Sequence, residues 1–306
     1  MPEPLLYFKA MVASAVACVI VVGLLGQARS DAWRNVACGL GMGLGLALGY
    51  YVLGVRPAWP PANGLDRLLT IVGPLALGIE ILAGWPRSPR WLVGGLRLSL
   101  CGASGIILLY GSVYLSGVRR EWSTGQAIVT LAAWGVLLAV LWTLLLRLWR
   151  RSPGVSLPIA LALSIQCAGV AIMLAGYLQG GAAAFPWVAV LIVTALALRM
   201  FSEHSHTPML VGLGLVGLFG LVFIGRYFGN LTTAAALTLL LAPLGGWAVE
   251  APRLRRQKSW FVGTLRVFLV AIPLIIVLVL AKKEFDRKLA PLLMKAPGPS
   301  MSRSAV

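Results

Sequence analysis

The sequence predicts an all-α integral membrane protein, a polytopic bundle of about ten transmembrane helices with no soluble domain. Three observations carry that prediction. Apolar runs of about 20 residues, the length needed to cross a hydrocarbon core, recur from end to end of the 306-residue chain. Only 11% of residues are charged, against about 25% in a soluble domain. The basic residues sit mostly between the runs, and tryptophans cluster near the run ends. Lipid offers a backbone no hydrogen-bond partners, so each run must close its bonds internally as a helix. Barrel strands would alternate over about 10 residues, and these runs do not.

Taken in order, the runs predict helices at roughly 5–26, 35–55, 66–84, 91–116, 125–146, 157–178, 185–201, 209–228, 231–249 and 262–281. The first is expected to be a retained helix rather than a signal peptide, because its apolar stretch is long and Glu3 weakens a positive leader. Pro158, Pro186 and Pro208 each open a run, where a missing N–H costs little. Pro74, Pro243 and Pro273 fall inside runs and should kink or break their helices. Trp59, Trp85, Trp91, Trp122, Trp149, Trp187, Trp247 and Trp260 lie near predicted ends, as expected of an interfacial aromatic belt. The links are short; the longest are "RPAWPPANGL" and "APRLRRQKSWF". The chain therefore reads as one membrane domain over 1–281 and a basic, disordered tail over 282–306.

Ten crossings put both termini on one side. The basic residues divide almost equally between the two sides, so positive-inside counting does not choose an orientation. The basic tail favours cytoplasmic termini facing anionic lipid, in a bacterial-type cytoplasmic membrane. Ten helices in about 300 residues is also the plan of the drug/metabolite transporter families, built as two inverted five-helix repeats. Such a repeat places like features in corresponding helices. Here the most glycine-rich helices are the second and the eighth, which do not correspond under that plan, and the chain is not assigned to it.

The net charge of +17 would suggest nucleic acid in a soluble protein. In this chain it meets lipid headgroups, and no nucleic-acid partner is expected. Cys18, Cys38, Cys101 and Cys167 each lie inside an apolar run without a CxxC pair, which makes them small hydrophobes. No GxSxG, Walker A or paired-carboxylate motif occurs. No catalytic residue, cofactor or metal is predicted.

The polar residues inside runs are the informative ones, because charge in hydrocarbon is expensive. Glu80, near the end of the third helix, and Arg97, in the fourth, flank the tight link "WPRSPR". Counted inward at 1.5 Å per residue, both reach a depth of roughly 8–10 Å. An ion pair across the hairpin is expected, with the guanidinium offering a bidentate fork. Its alternative roles are a structural fastening and a substrate or proton site. Gln166, near the middle of the sixth helix, needs a partner in another helix or a watery cavity. Arg226, Asn230, Glu250 and Arg266 read as shallow interfacial groups.

Glycines four apart in "CGLGMGLGLALGYY", and the run Gly212, Gly214, Gly217, Gly220 and Gly225 in the eighth helix, let backbones approach closely. That closeness serves packing within the chain, a homo-oligomer face or a moving helix. Glu203, His204 and His206 are weak interfacial candidates. Thr207 and Pro208 read as the capped entrance to the next helix. A catalytic zinc needs three protein ligands held by rigid elements; beside the two histidines only Glu203 is near in sequence, and no HExxH spacing appears.

Three functions are consistent with these features. A small-molecule or ion permease fits the many helices, proline breaks and buried acid. A non-catalytic subunit of a membrane complex fits the scarcity of polar residues. An intramembrane enzyme on lipid-linked substrates would need Asp66, Glu121, Glu203 and the histidines to gather at one face.

Overall fold

The computed structural model describes residues 4–26, 30–115, 121–201, 208–250 and 259–294. The described residues are all-α, and nine of their helices are long and apolar enough to cross a membrane. The first crossings are α1 (Pro4–Leu25) and α2 (Asp31–Val52). The third is composite: α3 (Gly64–Arg67), a π-helical turn (Leu68–Val72) and α4 (Gly73–Ala83) follow without a break. Then come α5 (Arg90–Leu109), α6 (Thr124–Arg151) and α7 (Ser156–Leu174). The short α8 (Leu178–Ala182) leads into α9 (Ala184–Phe201), and α10 (Met209–Tyr227) follows. The ninth crossing joins α11 (Thr233–Leu241) to a 3-10 segment (Ala242–Glu250), and α12 (Ser259–Met294) completes the bundle. The composite third crossing, with these nine, matches the expected ten.

At the centre stands α10, with every residue from Met209 to Gly225 buried. Its sequence is apolar on all sides, the pattern of a helix surrounded by others. It packs on α4, α6, α7 and α9, while α1 lies along α2 and α9, and α12 covers α7 and the 3-10 segment. Glycine makes the central contacts possible. A Cβ on Gly217 would lie 2.9 Å from the Trp187 indole, and one on Gly225 2.5 Å from Ile172. In α2 the two glycine rows serve two neighbours: Gly41 and Gly45 face α1, and Gly39 and Gly43 face Ile81 and Leu77 of α4. The close spacing thus serves packing within the chain.

Two of the three interior prolines distort their helices as expected. The π-helical turn ends just before Pro74, and the change from α to 3-10 geometry comes at Pro243. Proline clashes with the carbonyl four residues back, and both segments re-space that turn. Pro273 differs, since α12 runs through it unbroken. α12 also runs past the expected end at Ala281 to Met294, so 282–294 is helical rather than a disordered tail. A Glu284–Lys288 pair at 3.0 Å supports that extension one turn apart. The aromatic belt holds for Trp59, Trp91 and Trp260, which are exposed, but Trp149 and Trp187 are buried core residues.

Packing of α2 on α1 and α9 yields a first test. A Cβ on Gly45 would lie 2.8 Å from the Ser14 carbonyl oxygen and 2.7 Å from Val190. Gly45→Val is expected to lower unfolding free energy in detergent by about 1–3 kcal/mol, the usual cost of overpacking. A methyl group added at Gly102 would meet nothing within 4 Å, so Gly102→Ala should leave the melting temperature unchanged. Equal effects at the two positions would contradict the packing.

Candidate functional site

The end of α4 is built to hold a charge. Glu80 lies one turn before Ala83, and the Gly84 N–H closes the helix by bonding back to the Glu80 and Ile81 carbonyls. Asn35 of α2, itself buried, donates its side-chain amide to the same carbonyls at 3.1 and 3.4 Å. Carbonyls at a helix end have no partner within the helix, and Asn35 supplies one. The sequence alone does not single out this residue.

Across the hairpin, Arg97 of α5 donates from Nε to Glu80 Oε1 at 2.7 Å and from Nη2 to Oε2 at 2.9 Å. The fork predicted from depth is therefore formed. The Glu80 side chain is fully buried, whereas that of Arg97 is 18% exposed. The Arg97 guanidinium also lies 5.7 Å from the Trp142 ring centroid, within cation–π range. On the far side, a Cβ on Gly212 would come 2.6 Å from the Glu80 carboxyl carbon. The central helix thus leaves room for this carboxylate by having no side chain there.

A cavity of about 570 Å³ opens beside the pair, lined by Ser88, Arg90, Arg97, Trp149, Arg150 and Pro208. A groove of about 410 Å³ shares Gly94, Arg97, Leu146 and Arg150 with it and continues between α5 and α6 to Leu98 and Cys101. Arg150 reaches this site because α6 runs on to Arg151, five residues beyond its expected end. Its start is fixed by a capping box in which Ser123 and Gln126 bond each other's backbone N–H. Among the described residues Arg90 and Arg150 have no hydrogen bond or ion pair.

A second cavity, of about 510 Å³, is largely apolar and lined by Tyr51, Arg56, Leu68, Leu77, Trp187 and Leu213. Its Arg56 belongs to the link before the third crossing; Ser88 of the first cavity belongs to the link after it. The two cavities therefore sit at opposite ends of that crossing. Along α4, Leu77 lines one and Ala83 the other, with Glu80 between them. Along α10, Leu213 lines one and Pro208 the other, with Gly212 facing Glu80.

Gln166 lines neither cavity. Its helix packs chiefly on α9, α10 and α12, and its Oε1 is buried without a hydrogen bond. The structure thus does not bring it to the Glu80–Arg97 pair. Glu203, His204 and His206 lie outside the described residues. Pro208, just after them, occupies the N-cap position itself, one residue later than expected. It lines the arginine cavity, at the opposite end from Asp66. Asp66 accepts from the Ala62 N–H at 3.3 Å, and Arg67 donates to the Pro61 and Ala62 carbonyls at 3.3 Å. These two fasten their own loop. Among the described residues no three His, Cys, Asp or Glu side chains gather.

Glu250 and Arg266, expected as separate groups near helix ends, form a second buried pair. Arg266 is 1% exposed; it donates from Nη2 to Glu250 Oε1 and from Nη1 to Ser156 Oγ, both at 2.8 Å. The sequence does carry a signal for it. "WLVGGLRLSL" (91–100) and "WFVGTLRVFL" (260–269) share Trp, Val, Gly, Leu, Arg and Leu in register. Each arginine also follows a helix-distorting proline, Pro74 or Pro243, by the same interval. The two hairpins are one design used twice, sealed at Arg266 and open to a cavity at Arg97.

No protein-family model, curated protein or solved structure matches this chain.

Removing one partner from a buried pair strands the other charge, at a cost of about 3–5 kcal/mol. Arg97→Met should therefore destabilise the protein strongly in mixed-micelle unfolding, and adding Glu80→Leu should recover most of the loss. Arg266→Met should cost at least as much, because Arg266 is more deeply enclosed, at 1% exposed. Additive effects of the Glu80 and Arg97 substitutions would contradict the coupling.

Proposed function

We propose that the chain is a small-molecule permease of a bacterial-type cytoplasmic membrane, with both termini cytoplasmic. The observation that carries this reading is the pair of cavities at opposite ends of the third crossing, separated by Glu80, Arg97 and Gly212. Alternating access requires two such vestibules and a barrier that can rearrange. Here the barrier is narrow. It is one ion pair on a helix hairpin, packed against a glycine of the central helix. The π-helical turn in the same crossing lies beside the apolar cavity through Leu68 and Leu69, and π turns are frequent at functional sites.

In this reading Arg97 is the switch, because its guanidinium faces both Glu80 and the arginine cavity. A ligand that competes for the guanidinium weakens the fork and frees the α4–α5 hairpin to shift against α10. Cytoplasmic termini place the exposed Lys282, Lys283, Arg287 and Lys288 of α12 against anionic lipid.

The test uses full-length protein in vesicles loaded with a soluble extract of small molecules, with efflux followed by mass spectrometry. At least one compound class should leave faster than from protein-free vesicles. Glu80→Gln weakens the fork that forms the barrier, so it should speed that efflux by about tenfold, the effect of roughly 1.4 kcal/mol on a barrier. An efflux profile identical to that of protein-free vesicles contradicts the permease reading.

A further inference from the structure

We infer that the arginine cavity binds a phosphate group. Three guanidinium groups, those of Arg90, Arg97 and Arg150, line one cavity. The fork of Arg97 is partly used by Glu80, while Arg90 and Arg150 hold no ion pair or hydrogen bond among the described residues. Two guanidinium groups without a carboxylate partner among the described residues, at the edge of a low-dielectric region, attract an anion, and guanidinium matches the oxygens of phosphate with bidentate geometry. Ser88 adds a hydroxyl donor at the rim.

The shape of the site says how such a ligand extends. The adjoining groove shares Arg97 and Arg150 with the cavity and then turns apolar, past Leu98, Cys101, Ala139 and Trp142. Leu98 is 64% exposed on the outer face of α5, so the groove runs along the surface that meets acyl chains. A phosphate seated among the arginines can thus carry a hydrocarbon tail along α5 and α6. The same seat suits a soluble phosphomonoester that leaves the groove empty. The recognised chemistry is shared, and the source is what the measurement separates. This inference deepens the permease reading and rests on it for the fate of the ligand; binding is measured without transport.

The experiment uses full-length protein in detergent with two probes, phosphatidylglycerol followed by native mass spectrometry and glycerol 3-phosphate followed by thermal shift. Arg90→Gln with Arg150→Gln is compared with Lys282→Gln and Lys283→Gln, which removes equal charge far from the cavity. Arg97 is left intact because it holds Glu80. The cavity variant should bind about tenfold less of at least one probe than wild type or the tail variant, given the strength of guanidinium–phosphate contacts. Selective loss of phosphatidylglycerol assigns a lipid headgroup, and selective loss of glycerol 3-phosphate assigns a soluble phosphate; either supports the inference. If wild type binds neither probe, or the cavity and tail variants bind both equally, the inference is wrong. A cavity that binds phosphate in a protein that moves nothing across vesicles would overturn the permease reading alone.

Discussion

A carboxylate in hydrocarbon has no water to hold its charge, so it survives only where the protein brings a cation and donors to it. That constraint organises both charged hairpins of this bundle. At Glu80 the cation comes from α5, the space from Gly212 of α10, and the neighbouring carbonyls are satisfied by Asn35 of α2. Four crossings are thus fixed relative to one carboxylate. At Glu250 the same chemistry joins the 3-10 segment, α12 and Ser156 of α7. The pairs differ in what surrounds them. Arg266 is sealed on all sides and acts as a fastening, whereas Arg97 keeps part of its guanidinium on a cavity. Where a costly charge is left accessible, packing alone does not account for it, and that asymmetry directs the functional reading to Glu80.

Without side chains, backbones pack closely enough to leave water no room. α10 uses glycine in this way toward Glu80, Leu68, Trp187 and Ile172. Its contacts with α4 and the π-helical turn are close at Gly212 and Gly220, the two points that bracket Leu213 of the apolar cavity. Bulk in the interior comes instead from aromatic groups on the partners. Trp134 donates to the Tyr227 hydroxyl at 2.8 Å and stacks edgewise on Phe223, tying α6 to the central helix. The bundle is therefore close-packed around α10, and the two larger cavities flank it at opposite ends of the third crossing.

Crossing number, helix class and the Glu80–Arg97 fork are legible in the sequence because hydrophobic length and depth counting are local quantities. Proline distortions at Pro74 and Pro243 are legible for the same reason, while Pro273 is not, because α12 continues through it. Arg90 and Arg150 are readable only as link charges, since their convergence depends on α6 running on to Arg151 and on α5 and α6 facing each other. Glu250 and Arg266 read as unconnected groups, because a long link stands between them. The shared Trp-x-Val-Gly-x-Leu-Arg pattern corrects this. It relates helices six crossings apart, as do the glycine-rich second and eighth, whereas an inverted five-helix plan pairs helices five apart. An even offset keeps the copies in the same orientation, which puts both Glu–Arg pairs toward the same end of the bundle. The likeness is local, since α10 is central and wholly buried while α2 has one face exposed.

The central claim is that Glu80 and Arg97 separate two cavities facing opposite sides of the membrane. Single cysteines at Leu77 and Ala83 test it most directly, against a low background because the four native cysteines are buried. In oriented vesicles, a membrane-impermeant maleimide applied to one side at a time should label Leu77→Cys from the side of the termini and Ala83→Cys from the other. Labelling of both positions from the same side would contradict the account, as would protection of both from either side.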